Sequence, residues 1–392
     1  MSRAERFLRR ISQYTRTRRH AWSVARHGTP RKWANLARVE SERKLRRIQL
    51  KGHPYLLIID PCNYCNLRCP LCPTGVGELG RPQALLSFEH FRNYFDPFAP
   101  YLFEAYLHNW GESLLNKQVY RMIEYTQSRN VGTNLSSNLF DLDSHDIDNL
   151  LDCGLEYLVV SLDGTSEQSY SQYRIRGSFQ RVFDNLSELL RRRAARRQKL
   201  PFVEWQFIVM KPNEHEVHEA ERLARQIGVD LLRFIPVGMP FEFANREETA
   251  RQWFPTTIAG RAPSTHEEQQ FGQGAKPGPC FYLYRSMVIN PDGGVSPCCV
   301  VYRKERDFAQ LDGPVEPMAI WNNPRYLSAR SLFSTRAQAE HVPTVCDQCD
   351  LFERPAGAPL VSRGEYLIRN IQPASPAAKE RTVLGSSGKR VE

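Results

Sequence analysis

The chain has 392 residues, of which 41% are hydrophobic, with a mean hydropathy of −0.51 and a formal net charge of +10. That length suffices for one large domain and a smaller one. No apolar run approaches the roughly 18 residues of a membrane span, and the N-terminus lacks the charged-then-apolar layout of a secretory signal, so a cytoplasmic location is expected.

The charge is uneven. Residues 1–51 hold 16 Lys/Arg against three Glu, a net of +13, so the remaining chain totals −3. Phe7, Leu8, Ile11, Trp22, Val24, Trp33, Leu36, Val39, Leu45 and Ile48 recur there at roughly helical spacing, which predicts two or three amphipathic helices broken near Gly28-Thr-Pro30. Two readings stand for this basic arm: a surface for RNA, an acidic carrier or an anionic membrane, or a solvated helical lead-in packed on the outside of the domain.

From residue 52 to about 240 strands and helices alternate. Strand-like runs are Tyr55 to Asp60, Tyr101 to His108, Val131 to Ser136, Leu155 to Asp163, Phe202 to Met210 and Leu231 to Val237. Helical periodicity marks Phe88 to Phe95, Leu114 to Ser128, His145 to Leu151, Phe179 to Arg193 and Glu214 to Ile227. Six β/α units predict an α/β fold, a parallel sheet curved into a partial (β/α)6 barrel whose chemistry lies at the C-terminal ends of the strands.

Ten cysteines then decide what sort of chemistry to look for. Eight sit in C-x2-C or C-x3-C steps or at the adjacent pair Cys298 and Cys299, with only Cys153 and Cys280 apart, a clustering that reads as metal binding rather than disulfides. Cys65, Cys69 and Cys72 form a C-x3-C-x2-C loop directly after the first strand. Three thiolates this close can grip an iron-sulfur cubane and leave one iron open to a small molecule. Other strand ends carry candidate partners. Trp110-Gly111-Glu112 offers a close backbone approach and a carboxylate for an ammonium group, Ser137 and Asn138 offer short hydrogen-bonding side chains, and Ser161-Leu-Asp163-Gly164 offers an acid suited to ribose hydroxyls.

This combination over residues 52–240 resembles the radical S-adenosylmethionine superfamily. The resemblance implies a [4Fe-4S] cluster on Cys65, Cys69 and Cys72 whose fourth iron binds S-adenosylmethionine. It places Glu112, next to Gly111, at the methionine ammonium, Ser161 and Asp163 at the ribose, Ser137 or Asn138 at the methionine or ribose portion, and Arg174 at the methionine carboxylate. Two departures are visible: the family's Gly-Gly-Glu is Trp110-Gly111-Glu112, and Leu71 stands where an aromatic residue usually precedes the third cysteine. Cys62 adds a fourth thiol three residues before Cys65, read as a small buried thiol rather than as a ligand to the open iron.

Residues 241–278 are polar and rich in turn formers, as a linker or lid would be. Tyr282 to Ile289, the turn Asn290 to Gly294 and the run to Cys298 and Cys299 predict a hairpin between cysteines, and Ile320-Trp321-Asn322 introduces a helix before Cys346-Asp-Gln-Cys349. By spacing alone the four thiols suit zinc or a [4Fe-4S] cluster. Cys280-x12-Gly293-x4-Cys298 followed by C-x2-C resembles the SPASM/twitch extension of the same superfamily. With no cysteine beyond Cys349, the resemblance is to the single-cluster type of 2-deoxy-scyllo-inosamine dehydrogenase, with Cys280, Cys298, Cys346 and Cys349 as ligands and Cys299 as the alternative to Cys298. A domain over 279–355 and a disordered tail over 356–392 follow.

The resemblance implies reductive cleavage of S-adenosylmethionine to a 5′-deoxyadenosyl radical, hydrogen abstraction from a C–H bond, and an auxiliary cluster exchanging an electron with the substrate. An external one-electron donor such as flavodoxin or ferredoxin is implied as well. The expected substrate is a small polyol, amino sugar or similar metabolite, handled by an oxidoreductase-type or epimerising reaction. Peptide and RNA modification are the alternatives, and a non-catalytic iron-sulfur or RNA-binding protein is the alternative of another class. His108 and Tyr106 are the candidate catalytic residues, with Trp205 and Gln206 as further candidates for the pocket.

Overall fold

The computed structural model describes residues 18–238, 246–255, 278–334, 341–349 and 352. Nine strands form one sheet in the order β6-β5-β4-β3-β2-β1-β7-β8-β9. Strands β1 (Leu56–Ile59), β2 (Glu104–Tyr106), β3 (Gly132–Ser137), β4 (Tyr157–Ser161), β5 (Phe202–Val209) and β6 (Leu231–Pro236) are parallel throughout. This is the six-unit partial barrel expected from the alternation. Its helices include α5 (Ser144–Asp152), α7 (Phe179–Ala195) and α8 (Val217–Ile227). Each starts or ends where local chemistry dictates: Asp143 and Asp146 make a capping box on α5, and Gly228 closes α8 in the left-handed conformation.

The last three strands extend this sheet. Strand β7 (Ser286–Ile289) pairs in parallel with β1, while β8 (Gly294–Ser296) and β9 (Ala309–Gln310) add antiparallel. The C-terminal part carries the expected β7–β8 hairpin, and its sheet is continuous with that of the barrel. The run expected as a strand from Tyr282 divides: Tyr282–Arg285 is a helical turn, and only Ser286 onward pairs. The four side chains of β7 are all buried, so it behaves as an interior strand.

Residues 18–51 are docked on the barrel. A helix over 18–26 and α2 (Pro30–Lys44) lie across the N-terminal ends of the strands. Glu156, at the start of β4 and 2% exposed, meets His27 at 2.9 Å, Arg26 at 3.3 Å and Arg19 at 3.6 Å. His20 reaches Glu104 at 2.8 Å, and Glu40 of α2 holds Arg285 at 2.6 Å. This placement supports the packed lead-in over a free arm. Residues 1–17 and the tail over 356–392 lie outside the described residues.

Of the stretch expected as a linker or lid, residues 246–255 are described and carry the helix Arg246–Trp253. Trp253 and Phe254 are buried with Leu67, Cys69, Leu71, Tyr173, Met210 and Val237 in a second, smaller core beside the cysteine loop. Trp253 stands edge-on to Tyr173 at 5.4 Å. Within the stretch expected as a linker or lid, this helix thereby supplies apolar cover beside the cysteine loop. No helix among the described residues is long and apolar enough to cross a membrane.

Candidate iron-sulfur and S-adenosylmethionine site

The cysteine loop leaves β1 through Asp60, which is fully buried and accepts from the Trp110 amide at 3.0 Å. Burial pushes the Asp60 carboxyl up to about 7 against the pull of surrounding backbone amides. The Glu112 amide donates to the Tyr64 carbonyl at 2.9 Å, so the Trp110-Gly111-Glu112 turn is laced directly to the loop. A Cβ on Gly111 would collide with the Cys62 carbonyl oxygen. The glycine is thus needed for the approach of the cysteine loop's own backbone.

Cys65, Cys69 and Cys72 come together. Burial pushes the Cys65 thiol up to about 12, with Glu112, Cys69 and Cys72 adding to the rise, and pushes Cys69 up to about 11 despite Arg174. Donors surround these sulfurs: the Leu67 amide lies 3.4 Å from Cys65 Sγ, Asn138 Nδ2 lies 3.7 Å from the same sulfur, and Arg174 Nη1 lies 3.7 Å from Cys69 Sγ. Such donors at Cys65 and Cys69 suit an anionic iron-sulfur core, where hydrogen bonds to sulfur stabilise negative charge. Cys62 is apart from this set. Its thiol donates to the Tyr64 carbonyl at 3.3 Å, and burial, then Asp60 and Glu112, push it to about 12. It is a neutral core thiol, as is Cys153, which is 3% exposed with Sγ 3.8 Å from the Leu150 carbonyl.

The carboxylate of Glu112 is buried and its pKa is raised by desolvation. Ser137 Oγ donates to it at 2.8 Å, the Asn138 amide at 2.8 Å and the Leu114 amide at 3.1 Å. Ser137 therefore serves the glutamate, while the Asn138 side chain faces Cys65 and Asn66. Asp163 and Arg174, expected at two different parts of the ligand, form one buried ion pair. Arg174 Nε donates to Asp163 Oδ2 at 2.7 Å and the Ile208 amide to Oδ1 at 2.6 Å. With both oxygens engaged, Asp163 orients the guanidinium of Arg174. Ser161 is part-exposed at the end of β4, beside Gln206 in register.

The barrel interior follows from strand alternation. Tyr106, His108, Asn134, Ser136, Ser161 and Gln206 are all part-exposed, while their chain neighbours Ala105, Leu107, Leu135, Val160 and Trp205 are buried. Trp205 is fully buried, donates its indole N–H to the Leu162 carbonyl at 2.7 Å and packs on Phe183 of α7. It is core, and the expectation that it lines a pocket is corrected. Its neighbour Gln206 faces inward and accepts from Arg233, which also binds Glu204 at 2.5 Å. Tyr106 donates to Glu104 at 3.3 Å. Burial drives His108 down to about 4, so its imidazole is neutral at physiological pH.

The second thiol set also converges. Cys298 is raised well above its ordinary value by burial and by Cys299, Cys280 and Cys349. Cys346 is raised by burial and by Cys349, Cys298 and Cys280. Cys299 Sγ meets Tyr282 Oη at 3.6 Å. Among the described residues no three of His, Cys, Asp or Glu close around a single ion.

An α/β partial barrel with one thiol triad at a strand end and a thiol tetrad on an extension of its sheet defines a class of iron-sulfur proteins. Residues 59–227 match the family model of the Radical SAM superfamily, and residues 280–350 match that of the SPASM iron-sulfur cluster-binding domain. The chain thus carries a radical SAM domain followed by a SPASM domain. Its cofactors are S-adenosylmethionine and [4Fe-4S] clusters, one of them auxiliary. The crystal structure of Streptococcus suis SuiB bound to the precursor peptide SuiA is similar with a TM-score of 0.54 at 13% identity, over 76% of this chain and 71% of that one. BtrN in complex with AdoMet and 2-DOIA gives 0.42 at 13% identity, over 71% of this chain and 86% of that one. The AdoMet-dependent heme synthase of Methanosarcina barkeri is 24% identical over 182 residues, which is 46% of this chain. The match spans half of that relative's length.

Proposed function

We propose that this radical SAM enzyme removes a hydrogen atom from a C–H bond of a small polar metabolite bound inside the barrel, in an oxidoreductase-type reaction. When bound, the cluster and S-adenosylmethionine supply a 5′-deoxyadenosyl radical, and the auxiliary cluster supplies or accepts an electron. Cys65, Cys69 and Cys72 would hold the first cluster, and Cys280, Cys298, Cys346 and Cys349 the second. Glu112, held by Ser137 and the Asn138 amide, fixes the turn at which the methionine ammonium would sit. Arg174, oriented by Asp163, offers its remaining N–H groups to the methionine carboxylate, and Ser161 offers a hydroxyl to the ribose.

The observation that carries the substrate class is the interior wall. Tyr106, His108, Asn134, Ser136, Ser161 and Gln206 present hydroxyl, imidazole and amide groups to the chamber on the strand positions left accessible. Such a wall suits a hydroxylated or amine-bearing ligand whose polar groups it can pair, and it discriminates against an apolar one that would leave them unpaired. The test is anaerobic turnover of the iron-loaded, reduced protein with carbon-deuterated polyols and amino sugars. Deuterium transfer into 5′-deoxyadenosine supports the proposal. Transfer only from a peptide or RNA overturns the substrate class, and absence of 5′-deoxyadenosine with an effective reductant overturns catalysis itself.

A further inference from the structure

Trp110 stands where the family pattern has glycine, and its position joins three parts of the molecule. Its backbone amide donates to Asp60 Oδ2 at 3.0 Å, at the end of β1. Its carbonyl accepts from Thr74 Oγ1 at 2.6 Å, two residues past Cys72 in the first cysteine loop. Its indole Nε1–H donates to the Val301 carbonyl at 3.3 Å, and its ring lies edge-on to Tyr302 at 5.3 Å.

Val301 and Tyr302 belong to the turn that carries Cys298 and Cys299, and the Val301 amide closes that turn on the Cys298 carbonyl at 3.3 Å. A buried cation fixes the same turn from the other side. Arg81, with a side chain 1% exposed, donates to the Tyr302 carbonyl at 2.7 Å, to Asp307 at 2.6 Å and to Asp292 at 3.2 Å. The turn is therefore held by a buried ion-pair network as well as by the Trp110 indole. Glycine at position 110 would leave the backbone bonds to Asp60 and Thr74 intact and remove every contact to Val301 and Tyr302.

We infer that Trp110 is a positioning residue that ties the Gly111-Glu112 cofactor turn to the ligand turn of the auxiliary cluster, so that occupancy of the first site is felt at the second. The inference rests on the reading of the two thiol sets as cluster ligands. It adds to that reading a mechanical link made by one side chain. Its sequence trace is the single departure from Gly-Gly-Glu, and its structural basis is one hydrogen bond and one aromatic contact across the junction.

The test compares the iron-loaded wild type with Trp110→Phe and Trp110→Gly. Iron content and S-adenosylmethionine binding of the wild type, measured first, report on the cluster reading alone. Amide hydrogen exchange over residues 299–302 then reads the link. Trp110→Phe, which keeps a ring and loses the N–H, should exchange about fivefold faster, and Trp110→Gly about fiftyfold faster. The midpoint potential of the auxiliary cluster should shift on adding S-adenosylmethionine in the wild type, shift less in Trp110→Phe and not respond in Trp110→Gly. Should Trp110→Gly fail to hold iron, the Phe variant decides. Exchange within twofold of wild type, or an undiminished potential response to S-adenosylmethionine in the variants, overturns the inference.

Discussion

At the scale of single residues, chain neighbours have opposite fates because strand side chains alternate. Trp205 fills the core between β5 and α7, so Trp205→Ala should cost about 4 kcal/mol of stability in a denaturant titration. Gln206, one residue on, faces the chamber. Gln206→Ala removes an acceptor of Arg233 without hollowing the core, so it should cost less stability than Trp205→Ala in the same titration and raise the substrate KM in turnover assays. Asp163→Asn keeps the shape of the Asp163–Arg174 pair but removes its charge. It leaves a buried guanidinium unbalanced, with an expected loss of about 3 kcal/mol in stability and at least tenfold in S-adenosylmethionine affinity by calorimetry. For the adjacent thiols, Cys298→Ala should lose the auxiliary cluster and Cys299→Ala should keep it, read as about four against about eight irons per chain.

At the scale of elements, α2 is fastened to β7 by Glu40, which takes Arg285 at 2.6 Å and Tyr55 at 2.9 Å. Burial alone would raise the Glu40 carboxyl, but hydrogen bonds from Arg285, Tyr55 and Arg43 bring it down to about 2 from an ordinary 4.5. A folded-state value below the unfolded one stabilises above the unfolded pKa and loses that contribution as pH falls. The wild type should therefore lose stability between about pH 4.5 and 2 relative to Glu40→Gln, and the difference should be flat above pH 6. Urea titrations of both proteins across that range check the sign. Because β7 leads directly from the Cys280 segment to the hairpin, loosening this fastening should also show as faster proteolysis near residue 285.

At the scale of the whole molecule, residues 18–51 of the basic N-terminal segment close the floor of the barrel. Its cations meet Glu104 and Glu156 at the N-terminal strand ends, and its helix buries Val39 against the core. Deleting residues 1–51 removes Arg19, Arg26 and His27 from the buried Glu156 and His20 from Glu104, and opens the floor. The expected outcome is loss of soluble folded protein whatever substrate is offered, by gel filtration and circular dichroism, rather than selective loss of activity on a carrier or RNA.

The barrel and both thiol sets were legible in the sequence because they rest on local signals: strand and helix periodicity, and cysteines a few residues apart. Other features had no local signal. The fusion of β7 to β1 depends on pairing across more than two hundred residues, and the helix Arg246–Trp253 was hidden by a polar, turn-rich neighbourhood. The pairing of Asp163 with Arg174 was missed because each residue had a separate plausible role, and only their proximity decides between those roles. Likewise, the glycine at 111 was recognised as a close approach, but not what approaches it.

By itself the sequence determined the class of chemistry, since the spacing of Cys65, Cys69 and Cys72 on one loop fixes three thiols near one point whatever surrounds them. Tertiary structure alone decided which polar residues face the chamber, where residues 18–51 pack, and that Trp110 bridges two loops whose cysteines lie more than two hundred positions apart. The physical reason is range: loop closure over a few residues is set by covalent geometry, whereas burial and long-range pairing are set by what the rest of the chain brings alongside.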